Sequence, residues 1–351
     1  MRLPSALLAL LLGLGFALQT FAVEPRRPGQ ESFLVRAVFA EGRLWLLSDA
    51  GELSSIAAGG DAREAAGLPE PVVDVCVRSG GVEAVSCEGE ACQRWTLWRR
   101  LDGAWSAGPT RPARGESLVA MSCSREGVLL LTTRRLLGIA GAERSEQPLS
   151  EELPVGSVTA VHATAEQIFL GINRGEWGGG LRRIDRRSGR VTLIESRSGA
   201  GLCGGPLNVD CDPVNGIAAE PWKPDCVAAA IGLVHFGPHG RLVEVCGDNV
   251  RRLYFRPHGP QPARGGETGD EPFTTVAFFG LARIGDELWA AGIDGIYRMR
   301  ASGEVQSTPL PRFQNIGGIG VSFELPQVVL VLTGVNQRRS LSGNVPMLVP
   351  R

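Results

Sequence analysis

Short apolar runs separated by turn residues repeat along most of the chain. Segment 157–197 shows the unit most clearly, with the runs 'SVTAVHA', 'IFLGIN', 'GLRRIDR' and 'RVTLIE' joined by 'TAEQ', 'RGEWGG' and 'RSG'. Each run has about five to eight residues, is rich in Val, Ile, Leu or Trp, and is bounded by Gly, Asp or Ser, as β-strands are. After the N-terminal segment, no apolar stripe of helical period is long enough to predict a helix. The pattern therefore predicts an all-β protein.

The same order of four strands recurs in seven segments, which span 33–66, 71–110, 116–149, 157–197, 213–246, 274–310 and 316–349. Successive segments start roughly 40–60 residues apart, which is the spacing of β-propeller blades. Two packed β-sandwiches are the alternative, but that architecture does not require one four-strand unit to recur. We predict a single domain, residues 23–351, folded as a seven-bladed β-propeller of four-stranded antiparallel blades.

The N-terminal segment 1–22, 'MRLPSALLALLLGLGFALQTFA', has the features of a secretory signal peptide. It combines one basic residue, an apolar run and a small residue, Ala22, at the expected cleavage point. The apolar run is shorter than the roughly 20 residues that a membrane-spanning helix needs. No later stretch is apolar enough to span a bilayer. We expect a periplasmic or secreted protein without a transmembrane segment once the signal is removed.

Eight cysteines, all after residue 75, agree with that compartment, because disulfides persist outside the cytosol. The chain has no CxxC pair, which argues against a zinc site. Short spacing favours two local disulfides, Cys87–Cys92 and Cys203–Cys211. Spacing alone does not pair the other four cysteines, which are Cys76, Cys123, Cys226 and Cys246.

Two of the repeated units carry a resemblance to a known family. The stretches 'IFLGINRGEWGGGLRRID' and 'ELWAAGIDGIYRMR' resemble the LWxGTxGGLxRxD repeat of bacterial two-component-regulator propellers, the extracytoplasmic sensor domains of some hybrid kinases. The matching positions are Leu170, Gly171, Gly179, Gly180, Leu181, Arg183 and Asp185 in one unit, and Leu288, Trp289, Gly292, Asp294, Gly295, Ile296 and Arg298 in the other. The resemblance implies a propeller of the ligand-binding sensor type. Those sensors continue into a membrane helix and signalling modules that have no counterpart in this sequence, so we expect no signalling output from this polypeptide alone.

The glycine-rich stretch 'RGEWGGG' connects the second and third strands of the fourth unit. Glycine tolerates positive φ and a close approach of another backbone, which explains its use in such a turn. In a four-stranded meander, this turn emerges on the same face as the links to the next blade. The long links 198–215 and 247–273 therefore share its face, and loops of that length are uncommon in compact domains unless they are functional or mobile.

Polar and aromatic residues of these loops form the predicted binding site. They are Asn173, Glu176, Trp177, Asn208, Asp210, Asp212 and Asn215. The indole offers a flat surface to a sugar or a ring, and the oxygens are of the kind that Ca²⁺ prefers, although the DxDxDG spacing is absent. The structural alternative is that Trp177 packs over the blade edge and that the carboxylates cap turns.

Other features of the sequence narrow the function. The formal charge of −1 supplies no field for nucleic acid, and the Arg-rich stretch 182–190 lacks interleaved aromatic residues, so we interpret it as a solvated face. We find no nucleophile elbow, phosphate loop or haem motif. The favoured hypothesis is a module that binds a protein or a polysaccharide. A lactonase-like hydrolase that holds Ca²⁺ with Glu220, Asn215 and Asn173 is one alternative, and a structural component of an envelope assembly is the other.

Overall fold

The computed structural model describes residues 32–89, 91–141, 143–197, 203–259, 274–311, 318–333 and 346–351. Its strands form seven antiparallel sheets, each built from consecutive strands of the chain and arranged as the blades of a ring. The prediction of an all-β, seven-bladed propeller is confirmed. The predicted signal peptide, residues 1–22, lies outside the described residues.

The first three blades each have four strands. Blade one contains β1 Leu34–Ala40, β2 Arg43–Ser48, β3 Leu53–Ala57 and β4 Arg63–Ala65. Blade two contains β5 Val72–Arg78, β6 Gly81–Glu88, β7 Arg94–Leu101 and β8 Ala104–Pro112. Blade three contains β9 Leu118–Cys123, β10 Val128–Thr132, β11 Arg135–Ala140 and β12 Glu143–Pro148.

The next three blades repeat this order. Blade four contains β13 Val158–Ala163, β14 Gln167–Asn173, β15 Gly179–Asp185 and β16 Val191–Ile194, with a short 3₁₀ helix, Gly175–Trp177, between β14 and β15. Blade five contains β17 Val214–Ala219, β18 Cys226–His235, β19 Gly237–Cys246 and β20 Asn249–Tyr254. Blade six contains β21 Phe278–Ile284, β22 Glu287–Gly292, β23 Gly295–Met299 and β24 Val305–Pro309. Within the described part of blade seven the strands are β25 Ile319–Ser322, β26 Val328–Thr333 and β27 Pro346–Pro350.

The burial of each strand follows its place in the blade. The second strands lie between neighbouring blades and bury both faces, as β14 does over its five central residues. The fourth strands form the rim of the ring, and β12 is exposed along most of its length. This gradient explains why the second strands are continuous apolar runs, whereas the outer strands are rich in polar residues.

Among the residues that the structure describes, the core consists of seven apolar clusters, one between each pair of adjacent blades. The cluster that closes the ring joins Leu325, Leu330 and Leu332 of blade seven to Ala37 and Leu46 of blade one. Next to it, the Ser322 hydroxyl donates a hydrogen bond of 3.0 Å to the backbone carbonyl of Ala37. Blades one and seven are therefore joined by apolar packing and by a hydrogen bond.

The first strand of each of the first six blades skips one residue in its pairing with the second strand. The bulged residues are Val35, Val73, Val119, Thr159, Asn215 and Phe279. Two of these side chains bond to the next blade: Thr159 Oγ1 donates to the carbonyl of Val214 at 2.6 Å, and Asn215 Nδ2 donates to that of Phe278 at 3.0 Å. At Thr159 and Asn215, the bulge therefore places a polar side chain against the neighbouring blade.

All eight cysteines form disulfides. Two bonds are local, Cys87–Cys92 and Cys203–Cys211. Of the others, Cys226–Cys246 joins the two strands of one hairpin, and Cys76–Cys123 joins the first strands of blades two and three. Four disulfides indicate an exported protein. In the described ranges, no helix has the length and apolar character needed to cross a membrane.

Candidate binding face

The second-to-third-strand turns and the links between blades emerge on one side of the ring, which we call the link face. At this face, the side chains of Asn173 and Asn215 form a bonded pair, in which Asn173 Nδ2 donates to Asn215 Oδ1 at 2.6 Å. Asn173 Oδ1 accepts from the backbone of Gly175 at 2.7 Å, and Asn215 Nδ2 donates to the carbonyl of Gly232 at 2.7 Å. These two predicted site residues therefore hold the turn of blade four against blade five.

The three consecutive glycines allow the Trp177 turn to rest on the link 203–213. Gly179 donates its backbone N–H to the carbonyl of Val209, and Gly180 donates to that of Asp212, both at 2.8 Å. The φ angles of residues 178, 179 and 180 are 72°, 141° and 77°. A Cβ atom on Gly178 would lie 2.2 Å from the carbonyl oxygen of Val209. Both the positive φ angles and the backbone contact require glycine.

The predicted ligands Asn208 and Asp212 are buried and brace the link internally. Asp212 Oδ2 accepts a hydrogen bond of 2.6 Å from the backbone of Asn208 and one of 2.5 Å from Arg241 Nη2. Burial raises the pKa of Asp212, and the charge of Arg241 opposes that shift. Asn208 Oδ1 accepts from the backbone of Asp210 at 3.0 Å. The contacts of Asn208 and Asp212 are those of turn-forming residues.

The other three predicted residues, Glu176, Trp177 and Asp210, are exposed to solvent. Trp177 is 73% exposed, so it does not pack over the blade edge. Asp210 Oδ2 pairs with Arg197 Nη1 at 3.0 Å. Glu176 Oε2 lies 3.1 Å from Nε2 of His235, which belongs to the neighbouring blade. Glu176 thus connects the Trp177 turn to a second element of the link face.

That second element is a projecting hairpin made of β18 and β19. Each of the two strands has ten residues, but β17 pairs with β18 only as far as Ile231, and β20 pairs with β19 only from Leu242. The ribbon beyond those points extends past its own blade. Phe236 occupies its tip with a φ of 58° and is 100% exposed.

The tip of the hairpin and the Trp177 turn form one exposed surface. We call it the arm-tip patch, and it consists of Glu176, Trp177, Val234, His235 and Phe236. The His235 ring packs edge-on against Phe236, with ring centroids 4.1 Å apart, while its Nε2 faces Glu176. Exposed apolar surface with a polar rim is typical of interaction sites. Sequence analysis identified Glu176 and Trp177 and missed the other three residues.

A small cleft of ≈ 170 Å³ lies between the link 203–213, strand β19 and the end of β20, a strand that occupies part of the segment 247–273 predicted as a link. It is lined by Cys203, Cys211, Asp212, His239, Gly240, Arg241, Arg252, Phe255 and Thr275. The Arg252 guanidinium stacks on the Phe255 ring at 4.3 Å. Burial and the nearby Arg241 lower the pKa of His239. The link 203–213 therefore approaches the end of β20 and Phe255, and residues 260–273 lie outside the described residues.

The proposed hydrolase ligands do not converge. Asn173 and Asn215 lie at the link face, whereas Glu220 follows the opposite end of β17, five residues or about 16 Å away along an extended strand. Among the described residues, no group of three or more His, Cys, Asp or Glu side chains could hold a metal ion. Calcium binding stays a prediction.

Comparison with known proteins shows that this chain resembles other proteins in structure and not in sequence. No protein-family profile matches the sequence, and no curated protein matches it. The extracellular domain of a hybrid two-component system from B. thetaiotaomicron is a structural neighbour with 13% identity and a TM-score of 0.48; the alignment covers 87% of this chain and 37% of that one.

Two further neighbours cover nearly equal shares of both chains. The β-propeller domain of the Trilobed protease from Pyrococcus furiosus has 9% identity and a TM-score of 0.51, covering 91% of this chain and 95% of that one. YCF48 bound to D1 peptide has 13% identity and a TM-score of 0.51, covering 86% and 89%. At this level of identity, the comparisons establish that the chain shares the β-propeller fold with these proteins.

Proposed function

We propose that this protein is an exported binding module that holds a protein partner through the arm-tip patch. The observation that carries the proposal is the pair of exposed aromatic residues, Trp177 and fully exposed Phe236, on two elements joined by the Glu176–His235 contact. Aromatic residues contribute most of the binding energy at many protein interfaces. The four disulfides support export, to the periplasm or the outside of the cell.

The mounting of the patch favours tight binding. The Trp177 turn is fixed by the Asn173–Asn215 pair and by its backbone bonds to the link 203–213. The hairpin is fixed where Thr275 Oγ1 accepts from the backbone of Gly240 at 2.8 Å. Because a rigid surface loses little conformational entropy on association, more of its contact energy contributes to affinity.

The shape of the patch favours a protein over a polysaccharide. A sugar can stack on the flat aromatic face of Trp177. A sugar cannot, however, enclose a side chain that projects from the tip of a hairpin. Phe236 is such a side chain, and a protein surface can supply a pocket for it. YCF48, which shares this fold, is bound to D1 peptide in its structure.

A photo-crosslinking experiment tests the proposal. A benzoyl-phenylalanine introduced at position 236 should give a discrete crosslinked protein in the envelope of the producing cell, and Trp177→Ala should reduce its yield. The control carries the same group at Leu101, which is exposed on the opposite face. Equal crosslinking from both positions contradicts a protein-binding patch. So does a protein that gives no crosslink and binds only to envelope polysaccharide.

A further inference from the structure

A cluster of charged residues lies at the end of blade five opposite the arm-tip patch. Glu220 follows β17, Lys223 lies in the loop before β18, Glu244 is on β19 and Arg251 is on β20. The two glutamates are 0% and 2% exposed. Two neighbouring carboxyl groups that are buried from solvent cannot both ionise without lowering the stability of the fold.

The two cations of the cluster both pair with the same glutamate. Lys223 Nζ and Arg251 Nη2 each lie 2.7 Å from Glu244 Oε2, and Arg251 Nε donates to Glu244 Oε1. The carboxyl group of Glu220 is fully buried, and the polar groups that face it are the Glu244 carboxyl group and the Trp222 indole. Glu244 is therefore the ionised member of the pair, and Glu220 is the member that keeps a proton.

The pKa values have the same asymmetry. Burial, and then the neighbouring Glu244, raise the pKa of Glu220 to about 7. The hydrogen bonds from Arg251 and Lys223 lower the pKa of Glu244 to about 2. Near neutral pH, a small change in acidity therefore changes the charge of Glu220 and leaves that of Glu244 unchanged.

The loop 220–226 is the part of this cluster that can move when the charge of Glu220 changes, because the strands around it are fixed. The Cys226–Cys246 disulfide fixes the base of the hairpin, and the backbone of Glu220 donates to the carbonyl of Cys226 at 3.0 Å. Arg251 is held to Glu244 by two hydrogen bonds, whereas Lys223 makes one. Lys223 is the cation that is free to move from one carboxylate to the other.

We propose that Glu220 and Glu244 form a proton-operated latch on the loop 220–226. While Glu220 holds its proton, Lys223 pairs with Glu244 and the loop is closed. When Glu220 loses the proton, the new buried charge draws Lys223 away from Glu244 and loosens the loop. The latch makes this face of an exported protein sensitive to the acidity around it, independently of partner binding at the arm-tip patch.

The sequence offers a direct probe, because Lys223 is its only lysine. Labelling with ¹⁵N-lysine, in a form without a lysine-containing tag, gives a single backbone amide resonance. That amide donates to the carbonyl of Glu220 at 3.3 Å, so it reports on the loop directly. Between about pH 5 and about pH 9, the resonance should move in a single titration step centred near 7.

Three variants make the result specific. Glu220→Gln copies the protonated state and should abolish the step. Glu244→Gln removes the neighbouring negative charge and should move the step to lower pH. Asp225→Asn, at an exposed acid in the same loop, should leave it unchanged. A resonance that does not titrate, or one that titrates equally in Glu220→Gln, overturns the latch, and neither result bears on the arm-tip patch.

Discussion

Backbone geometry at single residues positions the exposed tryptophan. Gly178 has a φ of 72°, which is unfavourable for any residue with a side chain. A Cβ atom at this position would also lie 2.2 Å from the carbonyl oxygen of Val209. Gly175, three residues earlier, has a φ of 63° with open space around it. Alanine substitutions at these two positions therefore distinguish the cost of a positive φ from the cost of a steric clash.

Gly178→Ala should lower the free energy of unfolding by about 3 kcal/mol or more, since strain at positive φ adds to overpacking. Gly175→Ala should cost only about 1 kcal/mol, because conformation alone opposes it. Urea denaturation of the two variants measures the difference. Equal losses contradict the idea that the link 203–213 supports the turn.

For Phe236 we expect a loss of binding and not of folding stability, in contrast to the two glycines. It is fully exposed, so Phe236→Ser removes no core contact and should change the free energy of unfolding by no more than about 0.5 kcal/mol. Its affinity for a crosslinked partner should fall by about 2 kcal/mol, roughly thirty-fold in Kd. Calorimetry with the purified partner measures this change, and unaltered affinity excludes Phe236 as an anchor.

At the scale of structural elements, one disulfide, Cys76–Cys123, connects two blades. Cys76–Cys123 bridges first strands that are 47 residues apart, whereas Cys87–Cys92 closes a loop of five. A longer closed loop removes more entropy from the unfolded chain. Replacing both cysteines of the first bond by alanine should cost about 4 kcal/mol, and the same change in the second about 2 kcal/mol. Chemical denaturation of the oxidised variants tests the ratio; equal losses would show that loop length does not govern it.

The elements were largely predictable, because each strand has a local signal. Alternation and Gly, Asp or Ser turns mark the four strands of 'SVTAVHATAEQIFLGINRGEWGGGLRRIDRRSGRVTLIE', and the structure has four strands in this segment. The bulge at Thr159 or Asn215 has no such signal, since it depends on contact with the next blade. The sequence likewise shows two strands in 'CVAAAIGLVHFGPHGRLVEVC' without showing that they extend past β17 and β20.

The site was less predictable, because burial does not follow residue type. Asn208 and Asp212 are polar and in a loop, which suggests ligands, yet both are enclosed by the link that they brace. Phe236 ends an apolar run, which suggests the core, yet it is fully exposed. Glu220 and Glu244 are 24 positions apart in the sequence, and only the β18–β19 hairpin brings them together.

The whole molecule depends on closure of the ring at the blade one–blade seven boundary, which is held by an apolar cluster and by the hydrogen bond from Ser322 to Ala37. Leu330→Ala removes a side chain that is buried there and should cost about 2–5 kcal/mol. The loss should be local at first, so β1 and β26 should exchange their amide hydrogens faster than the strands of blade four. Leu348→Ala, at a residue of the same blade that is 61% exposed, is the control. Uniformly faster exchange in all blades contradicts a separable closure.

The charged cluster of blade five should also make the stability of the fold depend on pH. The pKa of Glu220 is raised from 4.5 to about 7, so the folded state binds the extra proton and stability falls as the pH rises through that interval. The pKa of Glu244 is lowered from 4.5, so stability falls as the pH drops below that value. Burial also raises the pKa of Asp212, which adds to the decline above its usual range.

Glu220→Gln isolates the alkaline side of this profile. The variant cannot ionise, so above about pH 7 it should exceed the natural protein in free energy of unfolding by on the order of 2 kcal/mol, and the difference should vanish as the pH falls below 4.5. Melting temperatures of both proteins across this range measure the effect. Parallel curves would mean that ionisation of Glu220 is not what weakens the fold, because the two proteins differ only in the ability of residue 220 to lose a proton.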